Sequence, residues 1–588
     1  MIKHIITPLI TLALVFTLSA CDKKEEKQAT PDSAKNLMSI AAIEKVVKVE
    51  AAPIWSYANI NGNLPNITMV EGDDGLIIVD TGLRMEDAIK TLGMIREITD
   101  KPVKAIIYTH HHPDHINGAA AFIEGQNPDD VLIIGAYNLN DEARDENSVT
   151  GRIMGFRAMY MYGSLLDPER EGKAFQVGLG GKVMPGENGF IPVNTPFTGS
   201  TDMIVSGIKM HLFQTGGEAA SHIAAYLPDY GVMLSGDELQ GPTYPNLHSL
   251  RGTKPRDANN WITAIDKMLA FHPKTLVPGH GPVLEGAEKI DQILTIYRDA
   301  IQWTHDQAVR LINMGYTQEE LAEALPALPA SLQLEPYTTE YYGTVKHSVR
   351  NYFTGYISWF DGDAATLDPT PRIERSIRYV ALMGGRDKVM AEADLAKANG
   401  DAQWAAELTT HLIRIKNDDQ KARSVKAWAF RQLSGKTVNT NWKGFYLTGA
   451  MELEGKLDSV AIQKTMRKFF APEHVDSAGV LGLMRYIVNA KKAEGKHLSV
   501  AFNFIDTNEI FTLELRNQIL VLTVGKRDGV TATFNMKRSL YNDILKLDAN
   551  FLSEIVGDGI SIDGSKLDAL AFLGILDSKI EPLPLVVR

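Results

Sequence analysis

The amino-acid sequence predicts an α/β fold, and three observations support this prediction. Short apolar runs typical of buried strands alternate with helical patterns in the first half of the chain. A group of polar, metal-ligating residues directly follows one of these predicted strands. The hydrophobic and charged fractions, 44% and 22%, are close to globular averages and exclude a fibrous or largely disordered chain.

The predicted elements begin with a hairpin and continue as strand–helix units. Apolar runs at residues 67–70 and 76–79 flank a Gly/Asp turn, which is a hairpin pattern. A helical pattern at 85–98, a strand at 103–108, a helix-like stretch at 116–123 and a strand at 131–134 follow. In such folds the chemistry is usually located where a strand ends and turns into a helix.

A histidine cluster follows the strand predicted at 103–108. Four of the chain's 15 histidines lie within the six positions 110–115, together with one aspartate. His110 and His112 are two apart, so their side chains project to the same side of an extended loop, whereas Asp114 and His115 can face a second point. Imidazole and carboxylate are the ligand types suited to zinc, and two directions indicate two metals. A surface loop that binds metal adventitiously is the alternative, which the preceding buried strand disfavours.

Composition excludes several other classes of protein. A length of 588 residues corresponds to about four domains of ordinary size. The single cysteine, Cys21, excludes an intramolecular disulfide, cysteine zinc fingers and iron–sulfur clusters. The net charge of −12 weighs against nucleic acid as a partner, and an anionic substrate would have to be attracted by local cations.

The first residues have the pattern of a secretory signal. Lys3 and His4 precede an apolar run at 5–16, which is too short to span a membrane. The tetrad Leu18-Ser19-Ala20-Cys21 resembles a bacterial lipobox; an ordinary signal with an incidental cysteine is the alternative. We therefore expect a signal peptide at 1–20, a charged tether at 21–45 with lipid on Cys21, membrane attachment through that lipid, and a bacterial lipoprotein in the periplasm or cell envelope.

The spacing His-x-His-x-Asp-His after a strand resembles the metallo-β-lactamase superfamily. That resemblance implies an αββα sandwich with a metal centre at one edge and further ligands after later strands, where Glu218, Asp237 and His280 are found. A carboxylate at Glu218, followed 19 positions later by a second, resembles the alkylsulfatase branch. The branch usually has Glu at the position of Asp237 and an acidic residue at that of His222, so this chain departs from it twice.

The resemblance implies two zinc ions per chain. His110, His112 and Glu218 are expected to bind one ion. Asp114, His115 and His280 are expected to bind the other, and Asp237 would bridge them.

On the substrate side the resemblance implies that Arg251 holds sulfate oxygens through its planar donor fork, with Asn246 and His347 as further contacts. A surface ion pair is the alternative for Arg251. His248 is a proton donor or structural, and His222 is a spare ligand, a proton carrier or, as we favour, structural.

The pattern of apolar residues after position 300 predicts two further domains. Helical spacing extends from 303 to about 452, and a strand meander at 498–505, 510–515, 519–524 and 531–535 lies between helices in the last segment. We expect a catalytic domain at 46–300, a helical domain at 301–453 and an α+β domain at 454–588. The resemblance to alkylsulfatases implies that the helical domain is a dimerisation domain and that the protein is a homodimer. The α+β domain resembles sterol-carrier proteins, and it either recruits an alkyl chain or is only structural.

The resemblance predicts zinc-dependent hydrolysis of alkyl sulfate esters such as dodecyl sulfate. The first alternative is an inverting secondary-alkylsulfatase, which attacks carbon. A lactamase or lactonase is disfavoured by Glu218 and the long C-terminal half. A lipid-binding lipoprotein with a disabled hydrolase domain is disfavoured by the seven predicted ligands.

Overall fold

The computed structural model describes residues 44–167, 177–467 and 470–588. The predicted signal peptide and lipid attachment at Cys21 lie outside these residues. Within the described ranges, no helix has both the length and the apolar character that a membrane crossing needs.

Two β-sheets, stacked face to face, form the centre of the first half of the described chain. The first sheet contains β1 (Lys45–Lys48), β2 (Ile54–Ala58), β3 (Ile67–Glu71), β4 (Leu76–Val79), β5 (Val103–Ile107), β6 (Leu132–Ala136) and β7 (Thr195–Phe197). The second contains β8 (Ser200–Val205), β9 (Ile208–Gln214), β10 (Ile223–Leu227), β11 (Val232–Gly236), β12 (Thr275–Pro278) and β13 (Leu284–Glu285). Apolar side chains of both inner faces, such as Ile77 and Leu234, are buried in one core.

Strand direction places the ligand-bearing loops at one edge of this sandwich. Strands β4 to β7 are parallel neighbours, and so are β11 and β12. The carboxyl ends of parallel strands meet at the same edge of a sheet, so the loops after β4 and β5 come together, as do those after β11 and β12.

Helices cover both outer faces, which confirms the predicted αββα sandwich. Ala88, Ala119 and Phe122 belong to the core over the first sheet, and Trp261 and Ile301 belong to the core over the second. The helices of this half are α1 (Met85–Arg96), α2 (Pro113–Ile116), α3 (Ala119–Phe122), α4 (Leu139–Val149), α5 (Gly151–Met161), α6 (Ala258–Ala270) and α7 (Ala287–Ile312).

A region of stacked helices follows. Side-chain caps begin several of them; Thr317 and Glu320 form a capping box, and Asp401 and Asp419 accept from backbone N–H groups. Small residues such as Ala405 and Ala429 are fully buried, so neighbouring helices pack closely. The helices are α8 (Gln318–Ala324), α9 (Val345–Ile357), α10 (Arg372–Leu382), α11 (Arg386–Ala398), α12 (Ala402–Ile415), α13 (Gln420–Gly435) and α14 (Thr440–Leu453).

The last region is an α+β domain around a third sheet. Its strands are β14 (Leu498–Phe504), β15 (Glu509–Arg516), β16 (Ile519–Val524), β17 (Ala532–Met536) and β18 (Ser561–Gly564), in the spatial order β16-β15-β14-β17-β18. Its helices are α15 (Ser459–Arg467), α16 (Ser477–Gly482), α17 (Arg538–Lys546), α18 (Phe551–Val556) and α19 (Lys566–Gly574).

The prediction of a simple meander is wrong for β17. This strand does not pair with β16 but lies parallel to β14 in the interior of the sheet, between β14 and β18. The central position buries its apolar residues, and Phe534 packs against Phe502 with ring centroids 4.9 Å apart. Beside β16, whose Ile519 and Val524 are exposed, those residues would have remained in contact with water.

Candidate metal centre and substrate side

The histidine loop begins where β5 ends and is fixed there by its neighbours. Asp80, at the end of the parallel strand β4, accepts from the backbone N–H of Thr109 at 2.8 Å and from its hydroxyl at 2.9 Å. His112 is the extended residue before α2, and Pro113 occupies the first helical position, where no N–H is needed. The turn into α2 separates the predicted ligands into two groups.

The first group consists of His110, His112 and Glu218. Oε2 of Glu218 lies 3.5 Å from Nε2 of His110 and 3.3 Å from Nδ1 of His112. The two ring nitrogens are 2.8 Å apart, and all three side chains are buried.

The second group consists of Asp114, His115, Asp237 and His280. Nε2 of His115 lies 3.4 Å from Asp114 Oδ2 and 3.6 Å from Asp237 Oδ1. Nε2 of His280 lies 3.6 Å from Asp114 Oδ2 and 3.3 Å from Asp237 Oδ2. Asp237 also converges with His110 of the first group, so its carboxylate lies between the two groups.

These donors fit a pair of bound metal ions. At zinc–ligand distances of about 2.0–2.1 Å, tetrahedral ligand atoms are roughly 3.3 Å apart, close to most separations found here. Four buried atoms that could ligate a metal have no hydrogen-bond partner within the described chain: His115 Nε2, Glu218 Oε2, Asp237 Oδ1 and His280 Nε2. Buried polar atoms rarely lack a partner, so the donor set is complementary to cations.

Hydrogen bonds behind the ligands fix the histidine tautomers. Nδ1 of His115 donates to Asp80 at 2.8 Å, and Nδ1 of His280 donates to the Leu64 carbonyl at 2.9 Å. In the neutral rings these bonds hold the proton on Nδ1, so the lone pair of Nε2 faces the centre, as metal binding requires.

Two carboxylates of the centre, Glu218 and Asp114, have lowered pKa values. Burial alone would raise the pKa of Glu218, but Arg256 and His112 keep it well below its usual range. Arg256 pairs with Oε1 of Glu218 at 2.6 Å, and Gln240 donates to the same oxygen at 3.1 Å, which leaves Oε2 for a metal. Burial would also raise the pKa of Asp114, but His115 and His280 hold it low.

Steric crowding by Asp237 explains why position 279, just before His280, is a glycine. A Cβ atom on Gly279 would lie 1.9 Å from Oδ1 of Asp237. A side chain at position 279 would therefore displace the carboxylate that lies between the two donor groups.

Two histidines near the centre are turned to other partners. Nε2 of His222 accepts from the backbone N–H of Asp237 at 2.9 Å, and its Nδ1 lies 2.8 Å from the Thr215 hydroxyl. This geometry supports the favoured structural role of His222. His111 hydrogen-bonds Ser221 at 2.8 Å through Nδ1 and Glu146 at 3.2 Å through Nε2, so both of its nitrogens are engaged.

Asn246 and His347, two of the predicted substrate contacts, lie together. Nε2 of His347 donates to Oδ1 of Asn246 at 3.3 Å, while its Nδ1 accepts from Nε1 of Trp442 at 3.3 Å. Burial lowers the pKa of His347 to about 3, so its ring is neutral at physiological pH. Nδ2 of Asn246 is buried without a hydrogen-bond partner in the described residues.

Arg251 is engaged elsewhere in the structure. Its guanidinium pairs with Glu146 at 3.1 Å, and its side chain is 14% exposed. Glu146 lines a cavity of about 290 Å³ that also contains His112, Glu218 and Arg256. Arg251 is therefore in a largely buried ion pair next to this cavity, and its predicted contact with sulfate stays a prediction.

Several supporting residues were not assigned roles from the sequence. Asp80, Arg256 and Glu146 act on ligands or on Arg251 from segments distant in the chain. Asp80 had a usable signal, since it is an acidic residue at the end of a strand parallel to β5. No sequence spacing indicates that Arg256 would pair with Glu218 or that Glu146 would pair with Arg251.

An αββα sandwich with this ligand loop at one edge is the architecture of the metallo-β-lactamase superfamily. The family model described as "Metallo-beta-lactamase superfamily" matches residues 60–280. The fold thus implies binding of divalent metal, with the two donor groups as the candidate sites.

Within the metallo-β-lactamase superfamily, this chain is similar to the alkylsulfatases. The models "Alkyl sulfatase dimerisation" and "Alkyl sulfatase C-terminal" match residues 317–456 and 479–586. The linear primary-alkylsulfatase of Pseudomonas sp. (strain ATCC 19151) is 39% identical over 529 residues, which cover 88% of this chain and 100% of that protein. The alkyl/aryl-sulfatase BDS1 of Saccharomyces cerevisiae is 30% identical, covering 89% of this chain and 81% of the yeast protein.

A solved structure is similar along nearly the whole chain. The stereoselective inverting sec-alkylsulfatase Pisa1 from Pseudomonas sp. matches with a TM-score of 0.83 and 26% identity, covering 95% of this chain and 88% of that chain. This chain belongs to the alkylsulfatase family, as its sequence predicted.

Proposed function

We propose that the protein hydrolyses linear primary alkyl sulfates, such as dodecyl sulfate, to the alcohol and sulfate, using two zinc ions per chain. The observation that carries this proposal is the convergence of seven His, Asp and Glu donors in two groups that share Asp237. The 39% identity to a linear primary-alkylsulfatase over its full length supports the substrate class.

The donor set indicates how the ions would be held. His110, His112 and Glu218 would hold one ion, and Asp114, His115 and His280 the other, with Asp237 between them. When bound, the two ions supply positive charge beside an anionic ester and make water acidic enough to provide hydroxide near neutral pH. Asp80 and the Leu64 carbonyl keep the protons of His115 and His280 on Nδ1.

The substrate side would hold the sulfate group. Arg251 would exchange its bond to Glu146 for sulfate oxygens, which its planar donor fork can contact in pairs. Asn246 can donate through Nδ2, which has no other partner within the described ranges. Trp442 keeps the proton of His347 on Nε2, so this side chain is also a donor.

The proposal is tested by sulfate release from dodecyl sulfate with and without a chelator. We expect release that stops when metal is removed and returns when zinc is added back. Release that continues at the same rate in chelator-treated, metal-free protein would overturn the metal-dependent mechanism.

The second candidate function is attack at carbon of a secondary alkyl sulfate. The similarity to Pisa1 along 95% of the chain favours it. Hydrolysis in ¹⁸O-labelled water separates the two reactions: attack at sulfur places the label in sulfate, and attack at carbon places it in the alcohol. We expect the label in sulfate.

The protein's assembly and location are part of the proposal. A homodimer is supported by the match to the dimerisation model at 317–456 and by exposed apolar side chains on α10, such as Ile373 and Leu382. Light scattering should give twice the chain mass, and the chain mass would contradict the dimer.

Export and lipid attachment at Cys21 are supported by the Leu-Ser-Ala-Cys tetrad. Metabolic labelling with a fatty acid should mark the wild-type protein and not Cys21→Ala. Equal labelling of both would contradict attachment at this residue.

A further inference from the structure

The chain segment after α19 returns to the helical region instead of ending on its own domain. From residue 577 onward it has no regular secondary structure. Gln463 donates to the carbonyl of Glu581 at 3.0 Å, and the N–H of Leu583 donates to the Ser459 hydroxyl at 3.1 Å. Residues 581–588 thus follow α15 back toward α14, and we call them the return segment.

Glu452, near the end of α14, binds the backbone of the return segment. Its carboxylate accepts from the backbone N–H groups of Leu585, Val586 and Val587 at 3.1, 2.9 and 2.7 Å. Val586 and Val587 pack against the core of the stacked helices. One carboxylate therefore holds three successive backbone donors, which is a site built for this segment.

The same carboxylate also binds the catalytic domain. The hydroxyl of Tyr160, on α5, donates to Oε2 of Glu452 at 2.6 Å, and Tyr160 is 1% exposed. The backbones of α5 and α14 approach so closely that a Cβ on Gly444 would lie 2.1 Å from the Met161 carbonyl oxygen. Through Glu452, the return segment and α5 share one anchor.

Helix α5 in turn holds the loop that carries Arg251. Arg157 donates to the carbonyl of Arg251 at 3.0 Å and to that of Leu250 at 2.5 Å. The Arg157 guanidinium also lies over the ring of Phe445, on α14, 5.8 Å from its centroid. Hydrogen bonds thus lead from the return segment through Glu452 to Tyr160, and helix α5 connects Tyr160 to Arg157, which holds the carbonyls of Leu250 and Arg251.

We propose that Glu452 is a positioning residue for the reaction: it locks the return segment onto α5, and α5 sets the position of the loop that carries Arg251. The inference rests on the proposed function, because it assigns Arg251 to the substrate. Displacement of this loop by about 1 Å is enough to weaken substrate positioning strongly. Glu452 itself touches no predicted metal ligand in the contacts found for it.

The test compares Glu452→Gln and Tyr160→Phe with the control Glu454→Gln. Glu454 lies two residues further on and pairs with Arg431 and Lys456. For Glu452→Gln we expect KM for dodecyl sulfate to rise about tenfold, with kcat and zinc content within about twofold of wild type. Tyr160→Phe retains the buried ring and should give a smaller rise of roughly threefold.

A second readout separates positioning from general stability. Amide hydrogen exchange at residues 249–253 should become faster in both test variants, while the strands around the metal centre keep their protection. An unchanged exchange rate and KM in both variants would overturn the inference. So would faster exchange across the whole chain, or equal effects in Glu454→Gln. If the wild type releases no sulfate, the proposed function fails, and the exchange result still decides whether Glu452 positions the loop.

Discussion

Two regions of this molecule differ in how their polar side chains are paired: the metal edge, formed by the two groups of candidate metal ligands, and the substrate side, formed by Arg251, Asn246 and His347. At the metal edge, buried donors such as Glu218 Oε2 and His280 Nε2 have no hydrogen-bond partner in the described structure, while their outer atoms are fixed by Arg256 and the Leu64 carbonyl. On the substrate side, the side chain of Arg251 is already paired with Glu146. In the proposed function the first region gains its missing partners by binding cations, whereas Arg251 would exchange Glu146 for sulfate oxygens.

This difference indicates where rigidity and adjustment are located. A fixed donor set favours tight, selective metal binding, because few side chains have to be ordered when the ion arrives. A paired arginine avoids an uncompensated buried charge while the site contains no substrate.

The largest effect is expected at a metal ligand. His112→Ala removes one donor of the first group, and sulfate release from dodecyl sulfate should fall about 1000-fold or more, because several kcal/mol of transition-state stabilisation depend on the metals. The control is His211→Ala, which removes a partly exposed histidine paired with Asp202 on β8. Activity within tenfold of wild type in His112→Ala would contradict the ligand assignment.

A residue behind the ligands should have the next largest effect. In Asp80→Asn, an amide N–H can face Nδ1–H of His115, so the proton moves to Nε2 and blocks its lone pair. We expect zinc affinity to fall about 10- to 100-fold, measured by titration against a competing chelator. The surface variant Asp202→Asn is the matched control, and equal affinities in the two variants would show that Asp80 does not orient His115.

Arg251 tests the substrate side. Arg251→Ala removes charge-assisted hydrogen bonds worth about 1.5–3 kcal/mol, which corresponds to a KM roughly 10- to 100-fold higher. Zinc content should remain that of wild type, because no predicted ligand contacts Arg251. Arg298→Ala, which removes a surface pair with Asp266, serves as the control. A wild-type KM in Arg251→Ala would leave the sulfate contact to another cation.

The smallest effect concerns Glu340, a half-buried acid in the segment before α9. Burial raises the pKa of Glu340 to about 7, above its ordinary value of 4.5, although Oε1 accepts from the N–H of Val345. Its contribution to stability is full below pH 4.5 and is lost as pH rises to 7, because the unfolded chain ionises first. Glu340→Gln should remove this decline, which is at most about 3 kcal/mol. Denaturant unfolding at pH 5 and pH 8 measures it against exposed Glu323→Gln, and parallel declines in both variants would contradict the assignment.

The seven predicted ligand residues converge in the structure, and the sequence could indicate them because they lie in short local patterns. His110, His112 and His115 lie in one short loop after a buried strand, and the later ligands each follow a strand end. Most strand and helix bounds were predicted within a few residues for the same reason, since apolar periodicity is a local property.

The partners of those residues were not predictable in the same way. Arg251 and Glu146 are 105 positions apart, and Arg256 reaches Glu218 across 38. Such pairs depend on how the loop packs against α4 and α5, which no periodicity encodes. The parallel pairing of β17 was missed for a related reason: its burial depends on Phe502 and on α19, not on its own sequence.

The central claim, that the two donor groups bind two zinc ions, is tested most directly by metal analysis of the purified protein. Atomic emission should give about two zinc ions per chain for wild type and a reduced content for His112→Ala. Fewer than about one zinc per chain in active wild-type protein would contradict the account.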